Sequence, residues 1–241
     1  MNPDRRQVLG WGAAAAVGAA LAPTIRLVEL AQARSPKESA SVLARWGLLI
    51  DITKCADCDE CVTACHEENG VTRHGRPETD AQWIRTVKLR DKSTGYAQTL
   101  PLMCQHCEHP PCVDVCPTGA SFKRADGIVL VDKHTCIGCR YCLMACPYGA
   151  RSFVHETVSD QKADVPRGKG TVESCTLCVH RVDRGETPAC VVACNKDGGK
   201  AMVFGDLNDS STEIHRRLHS EPSSQIRADL GLNTGVRYQG L

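Results

Sequence analysis

Sixteen cysteines fall into four groups of four along this chain, and none is left over. The groups are Cys55, Cys58, Cys61 and Cys65; Cys104, Cys107, Cys112 and Cys116; Cys136, Cys139, Cys142 and Cys146; and Cys175, Cys178, Cys190 and Cys194. The first and third read C-x2-C-x2-C-x3-C, the spacing by which bacterial ferredoxins hold cubane iron–sulfur clusters. Three close thiolates wrap one cluster, and the fourth reaches across to its neighbour. Sixteen thiolates in this pattern predict four 4Fe–4S clusters, and a row of clusters in one small protein is a wire for electrons.

Aromatic residues make up only 4% of the 241 residues, few large rings for a core of that size. Clusters and their ligand loops replace packed side chains here, as metal does in other small metallodomains. The formal net charge of +1 counts each cysteine as neutral. An oxidised cube with four thiolates carries about −2, so four of them bring the loaded protein to roughly −7. Lys54, Lys133, Arg140, Arg181 and Lys196 lie beside the motifs; they either offset that charge or form ordinary solvated surface.

Residues 1–33 are a different kind of sequence. Asp4-Arg5-Arg6-Gln7-Val8-Leu9-Gly10 precedes an apolar run from Trp11 to Ala22, and Ala31-Gln32-Ala33 offers a small-residue cleavage site. A charged start, an apolar middle and an A-x-A end are the parts of an export signal. The paired arginines indicate the twin-arginine route, although Val8 stands where that signal more often has Phe. The competing reading is a retained membrane anchor, for which the run is short and broken by Pro23 and Arg26. No second stretch is long and apolar enough to span a bilayer, so the mature domain is expected to be soluble and periplasmic. Clusters are inserted in the cytoplasm, and a loaded protein must then cross the membrane folded, so route and motifs explain each other.

A disulfide framework, the first thought for an exported Cys-rich chain, has no reason to repeat a three-residue stride. Zinc competes more seriously, because Cys175, Cys178, Cys190 and Cys194 alone have the form of a four-thiolate structural site. The C-x2-C-x2-C-x3-C groups decide for iron–sulfur, since a zinc knuckle has no use for a third cysteine in one loop. Pro117 and Pro147 match the C-P ending of ferredoxin motifs.

Between the motifs, Trp46–Ile52 and Gly127–Asp132 read as strands entering ligand loops, an internal repeat more than separate domains. Trp83–Arg90 and Tyr96–Leu102 read as a hairpin turning at Asp91–Gly95. Arg151–Val154 is strand-like and leads into a polar Gly/Lys/Asp loop. After Asp206, Thr212–His219 forms a short helix, and the polar remainder drapes over the body or over a partner. The fold class is α+β: two ferredoxin-like lobes with a pseudo-twofold repeat, long loops, β-hairpin insertions and little regular structure. The expected divisions are 1–33 export signal, 34–206 four-cluster domain and 207–241 C-terminal extension.

Cys104-Gln-His-Cys-Glu-His-Pro-Pro-Cys-Val-Asp-Val-Cys-Pro-Thr-Gly-Ala120 and Cys136-Ile-Gly-Cys-Arg-Tyr-Cys-Leu-Met-Ala-Cys-Pro-Tyr-Gly-Ala-Arg151 closely resemble the four-cluster electron-transfer subunits of molybdoenzyme-type complexes. Ser174–Arg181 and Thr187–Cys194 extend the resemblance, which covers about residues 46–206. An exported chain without a C-terminal membrane helix is most similar to the periplasmic iron–sulfur subunit of the sulfite-reduction-associated transmembrane complex. Nitrite- and polysulfide-reductase iron–sulfur subunits are close alternatives. Asn195 and His66 stand where the family usually has Pro, and neither change removes a ligand.

The resemblance implies that the first motif pairs with the fourth in one lobe and the second with the third in the other, each exchanging its last cysteine. Chain order alone would pair the first with the second. Carried over, Cys55, Cys58, Cys61 and Cys194 hold one cluster, and Cys175, Cys178, Cys190 and Cys65 hold its neighbour. Cys136, Cys139, Cys142 and Cys116 hold a third, and Cys104, Cys107, Cys112 and Cys146 a fourth. Cys107 is present where several relatives lack a cysteine, so four irons are expected there. The implied electron path runs through the first, fourth, third and second motifs, in either direction.

His106 and His109 flank ligands and either pack the loop or donate hydrogen bonds to a cluster. Pro110, Pro111 and Pro188 fix ligand-loop geometry, and Gly138 and Gly149 admit backbone close to the cubes. No nucleophile–base pair, phosphate loop or nucleic-acid patch accompanies the cysteines, and all sixteen thiols are consumed as ligands. The chain therefore reads as an electron carrier and not a catalytic subunit. Its expected partners are a polytopic quinone-reactive membrane subunit and a further redox subunit, in dissimilatory sulfur metabolism. The alternative is a free periplasmic polyferredoxin meeting its partners transiently, although the insertions and the cysteine-free tail are more surface than a shuttle needs.

Overall fold

The computed structural model describes residues 40–55, 57–159, 161–196 and 200–241; the export-signal reading of residues 1–33 lies outside them. In chain order the regular elements are β1 (Trp46–Asp51), α1 (Glu60–Asn69), β2 (Ile84–Arg90), β3 (Ala97–Met103), α2 (Pro111–Asp114), β4 (Ser121–Lys123), β5 (Val129–Val131) and α3 (Tyr141–Ala145). They continue with β6 (Ser152–Phe153), β7 (Val172–Glu173), α4 (Val179–Val182), α5 (Ala189–Asn195), β8 (Met202–Asp206), α6 (Glu213–Ser220) and β9 (Val236–Gln239). A two-stranded antiparallel pair lies in each interval between motifs: β2–β3, then β4–β5, then β6–β7, the last joined by a long connection.

In β1, Leu48, Leu49 and Ile50 are each at most 1% exposed. Successive strand residues point to opposite faces, so three buried in a row require cover on both sides. Leu48 and Ile50 join the main core, whereas Leu49 packs with Val203 and Ile214 in a smaller cluster beneath α6. β1 is the central strand of a three-stranded sheet, antiparallel to β8 from Trp46 opposite Asp206 and parallel to β9 from Leu48 opposite Val236.

The hairpin between Trp83 and Leu102 is present as β2 and β3, in register from Ile84 opposite Met103 to Arg90 opposite Ala97. Its turn is closed by Asp91, whose Oδ1 accepts the Ser93 N–H at 2.8 Å. The strands expected at Gly127–Asp132 and Arg151–Val154 are shorter, as Val129–Val131 and Ser152–Phe153. Thr212 is the N-cap of α6, its Oγ1 accepting from the His215 N–H at 3.3 Å.

The expectation for the C-terminal residues is corrected. They do not simply drape over the body: β9 completes the central sheet, with Val236 and Tyr238 fully buried. The Tyr238 hydroxyl donates to the Pro101 carbonyl at 3.0 Å and accepts from Gln105 Nε2 at 3.2 Å. Thr234 bridges to Cys107, and the Glu108 N–H donates to the Leu232 carbonyl at 3.0 Å. The tail thus walls the loop of the second motif. A polar segment reads as surface by composition, but four residues supply a strand and its alternate side chains reach the core.

Helix packing brings the motifs together in pairs. α1 lies against α5, and α2 against α3, so the first motif adjoins the fourth and the second adjoins the third. Among the described residues no helix is long and apolar enough to cross a membrane.

Candidate iron–sulfur sites

The last two cysteines of every motif are four residues apart, and each pair sits on a helical turn. Cys61 and Cys65 lie in α1, Cys190 and Cys194 in α5; Cys112 lies in α2 with Cys116 just beyond, and Cys142 in α3 with Cys146 at its C-cap. Residues four apart on a helix share a face, with Cβ atoms about 5–6 Å apart. One turn of helix therefore holds two thiols side by side, and two packed helices hold four.

The thiols' electrostatics show which cysteines meet. Burial pushes the Cys61 thiol up to about 12, and the charges of Cys194, Cys55 and Cys58 add to it. Burial also raises Cys65, reinforced by Cys175, Cys190 and Cys178. Cys107 is pushed up to about 12 by burial and by Cys112 and Cys146. Cys142 is raised by burial against the pull of Arg151, with Cys116 and Cys136 as its thiol neighbours. Each motif's last cysteine therefore stands among thiols of a different motif. Cys139 and Cys58 are exposed.

Thiols also meet across these gatherings. Cys190 feels the charge of Cys61, Cys175 that of Cys104, and Cys112 that of Cys142. The neighbourhoods thus follow one another as first, fourth, second and third motif. This corrects the order of the last two expected from resemblance: the fourth motif borders the second, because Cys104 follows directly on β3, whose Met103 lines the cavity that holds Cys175.

The residues fit iron–sulfur clusters. Cys65, Cys175, Cys178 and Cys190 line one cavity whose other walls include Leu48, Trp83, Ile84 and Met103. Among the described residues, no three His, Cys, Asp or Glu side chains converge closely enough to hold a single metal ion. Four thiols that line one walled cavity suit the four corners of a cube. All sixteen are free of disulfides. Iron keeps coordinated thiols ionised despite burial, and a cluster supplies a one-electron redox couple whose potential follows hydrogen bonds to sulfur, charge and exposure.

Backbone and side-chain donors already face several sulfurs. The N–H of Ser121 donates to Cys116 Sγ at 3.3 Å, that of Val172 to Cys136 Sγ at 3.5 Å and that of Leu177 to Cys175 Sγ at 3.4 Å. At Cys116 burial pushes upward, but the Ser121 N–H and the Thr118 hydroxyl outweigh it and the thiol is lowered. Asn69 Nδ2 donates to the Cys65 carbonyl at 2.8 Å and stands 3.7 Å from Cys65 Sγ and 3.9 Å from Cys178 Sγ.

Several neighbours behave differently from their sequence reading. Lys54 pairs with Asp51, Arg181 with Glu68 and Glu186, and Arg140 lies over the Phe153 ring at 3.8 Å. Lys133 is a partly buried donor to the Val172 carbonyl at 2.6 Å, and Lys196 is exposed. Lys133 feels the charge of Cys136, and the more deeply buried Arg151 feels those of Cys112, Cys104 and Cys142; Arg151 stands out in the sequence only as the end of the Cys-Pro-Tyr-Gly-Ala-Arg run. His106 is buried, and its Nδ1 accepts the Val129 N–H at 3.0 Å, so Nε2 carries the proton and has no partner. His109 is exposed. Gly138 is required by its own backbone, at φ 69°, and by the Gly170 carbonyl, which lies 2.1 Å from where a Cβ would stand. Gly149 is also left-handed, at φ 55°. Pro111 begins α2 and Pro188 caps α5, where a missing N–H costs nothing.

These paired, cysteine-lined helices define an iron–sulfur protein of the dicluster kind, with 4Fe–4S clusters as its cofactors. The sequence matches two models described as 4Fe–4S dicluster domain, over residues 54–120 and 94–207. It is 43% identical to the Hdr-like menaquinol oxidoreductase iron–sulfur subunit 1 of Archaeoglobus fulgidus, across 99% of this chain and 98% of that protein. It is 35% identical to a tetrathionate reductase subunit of Salmonella typhimurium, across 100% of this chain and 90% of that one. Protein NrfC of Escherichia coli is 37% identical across 78% of this chain and 77% of its own. The chain belongs to this family of iron–sulfur subunits of oxidoreductases.

Proposed function

We propose that the chain carries four 4Fe–4S clusters and relays electrons between a quinone-reactive membrane subunit and another redox subunit. The ligand sets are Cys55, Cys58, Cys61 and Cys194; Cys175, Cys178, Cys190 and Cys65; Cys104, Cys107, Cys112 and Cys146; and Cys136, Cys139, Cys142 and Cys116. Electrons pass along the sets in that order or its reverse. The observation that carries this reading is the thiol neighbourhoods, each drawing three cysteines from one motif and one from another. Two ferredoxin-like lobes follow from the same pairing, supported by the packing of α1 on α5 and α2 on α3.

The membrane partner and sulfur chemistry rest on relatives named for a menaquinol oxidoreductase and a tetrathionate reductase. The periplasmic address rests on Arg5, Arg6 and the apolar run that follows. A docked subunit rather than a free shuttle is supported by the third-motif end, where Ile137 and Met144 are 67% and 74% exposed beside Tyr141. Large apolar side chains grouped around an exposed ligand loop mark a contact surface. The test is purification from native membranes: the chain should co-purify with a polytopic protein, and added menaquinol should bleach its visible absorbance. Recovery as a lone soluble carrier that menaquinol leaves oxidised contradicts the proposal.

A further inference from the structure

We propose that Arg151 is a shared counter-ion that sets the reduction potentials of the second- and third-motif clusters together. The inference rests on the four-cluster reading above and concerns what tunes those clusters.

Arg151 is 5% exposed. Its Nη1 donates to Ser121 Oγ at 2.5 Å, while Nε and Nη2 are buried without a hydrogen-bond partner. A buried guanidinium is costly unless an opposite charge accompanies it. The buried carboxylate across the β6–β7 pair, Glu173, is already held by Arg167. The opposite charges that Arg151 feels are thiols, Cys112 and Cys104 of the second-motif set and Cys142 of the third, while Lys133 and His106 also stand near it. The guanidinium therefore stands at the seam between two cluster sites, with two buried donors left without a partner.

Reduction adds one electron and one negative charge to a cube, with no bond made or broken. A fixed cation nearby favours the more negative state, strongly so where water is excluded, and so raises the potential. Because one cation serves two sites, its removal lowers both. The first and fourth motifs have no equivalent among the described residues: the cation beside Cys178, Arg181, is neutralised by Glu68 at 3.1 Å.

The test is an anaerobic EPR redox titration of the loaded protein, with iron content measured on each sample. The wild type must first show four one-electron centres; fewer would count against the four-cluster reading and not against Arg151. In Arg151→Gln, two of the four midpoints are expected to move together to more negative values while the other two hold. Four unchanged midpoints, or a uniform shift of all four, overturns the proposal. Should Arg151→Gln lose iron, Ser121→Asp beside Ser121→Asn decides, because the aspartate neutralises the cation without removing it. The Asp variant is expected to shift the same two midpoints negatively relative to Asn; identical titrations overturn the proposal.

Discussion

Arg167 grips Glu173 with two parallel hydrogen bonds, Nε to Oε2 at 2.9 Å and Nη2 to Oε1 at 2.7 Å, with both side chains nearly fully buried. The same guanidinium reaches the carbonyl of Gly70, the C-cap of α1. One ion pair thereby fastens the insertion between the third and fourth motifs to the helix that carries Cys61 and Cys65. Glu173→Gln leaves that guanidinium buried without a counter-charge and is expected to destabilise the loaded protein by roughly 3–5 kcal/mol. Replacing both partners with apolar residues should cost much less. Denaturant midpoints of the two variants check this; equal losses would show that the charge is not what matters.

Asp51 gives stability a defined pH dependence. Burial pushes its carboxyl upward, but hydrogen bonds from Lys54, Thr53 and Arg217 and the Lys54 charge outweigh it and hold the group at about 2. The folded value is below the unfolded one of about 3.9, so the contribution is complete above the unfolded value and is lost as pH falls toward 2. Asp51→Asn should therefore lower the unfolding midpoint by a constant amount between pH 7 and pH 5, and by less at pH 4 and below. A gap that widens on acidification would contradict the assignment.

The crossing of ligands between motifs is testable one cysteine at a time. Cys194→Ala should disturb the same cluster as Cys55→Ala, leaving the set of Cys175, Cys178, Cys190 and Cys65 complete. Low-temperature EPR of the two variants should show one shared centre affected. A Cys194→Ala spectrum that matches Cys175→Ala instead would mean that ligation is local to each motif.

Much of the site was legible because thiol spacing is a local code: a helical turn brings Cys61 and Cys65 to one face wherever the helix lies. The pairing of motifs was not local, since it depends on α1 meeting α5 across the chain, and only resemblance supplied it. The order of the neighbourhoods differs from the sequence reading because β3 delivers the second motif near enough to Cys175 for it to feel the charge of Cys104. Arg151 was missed for a related reason. Its burial is a property of packing, and by sequence it is one more arginine after a motif. The tail was misjudged by composition, although Val236 and Tyr238 alternate with polar residues as a half-buried strand does.

Whether sixteen thiolates hold four cubes is tested most directly by iron and acid-labile sulfide measured together on anaerobically purified protein. About 16 of each per chain are expected, the content of four 4Fe–4S clusters on four-thiolate sites, with little zinc. Stoichiometric zinc, or about half that iron in protein that is otherwise fully folded, would contradict it.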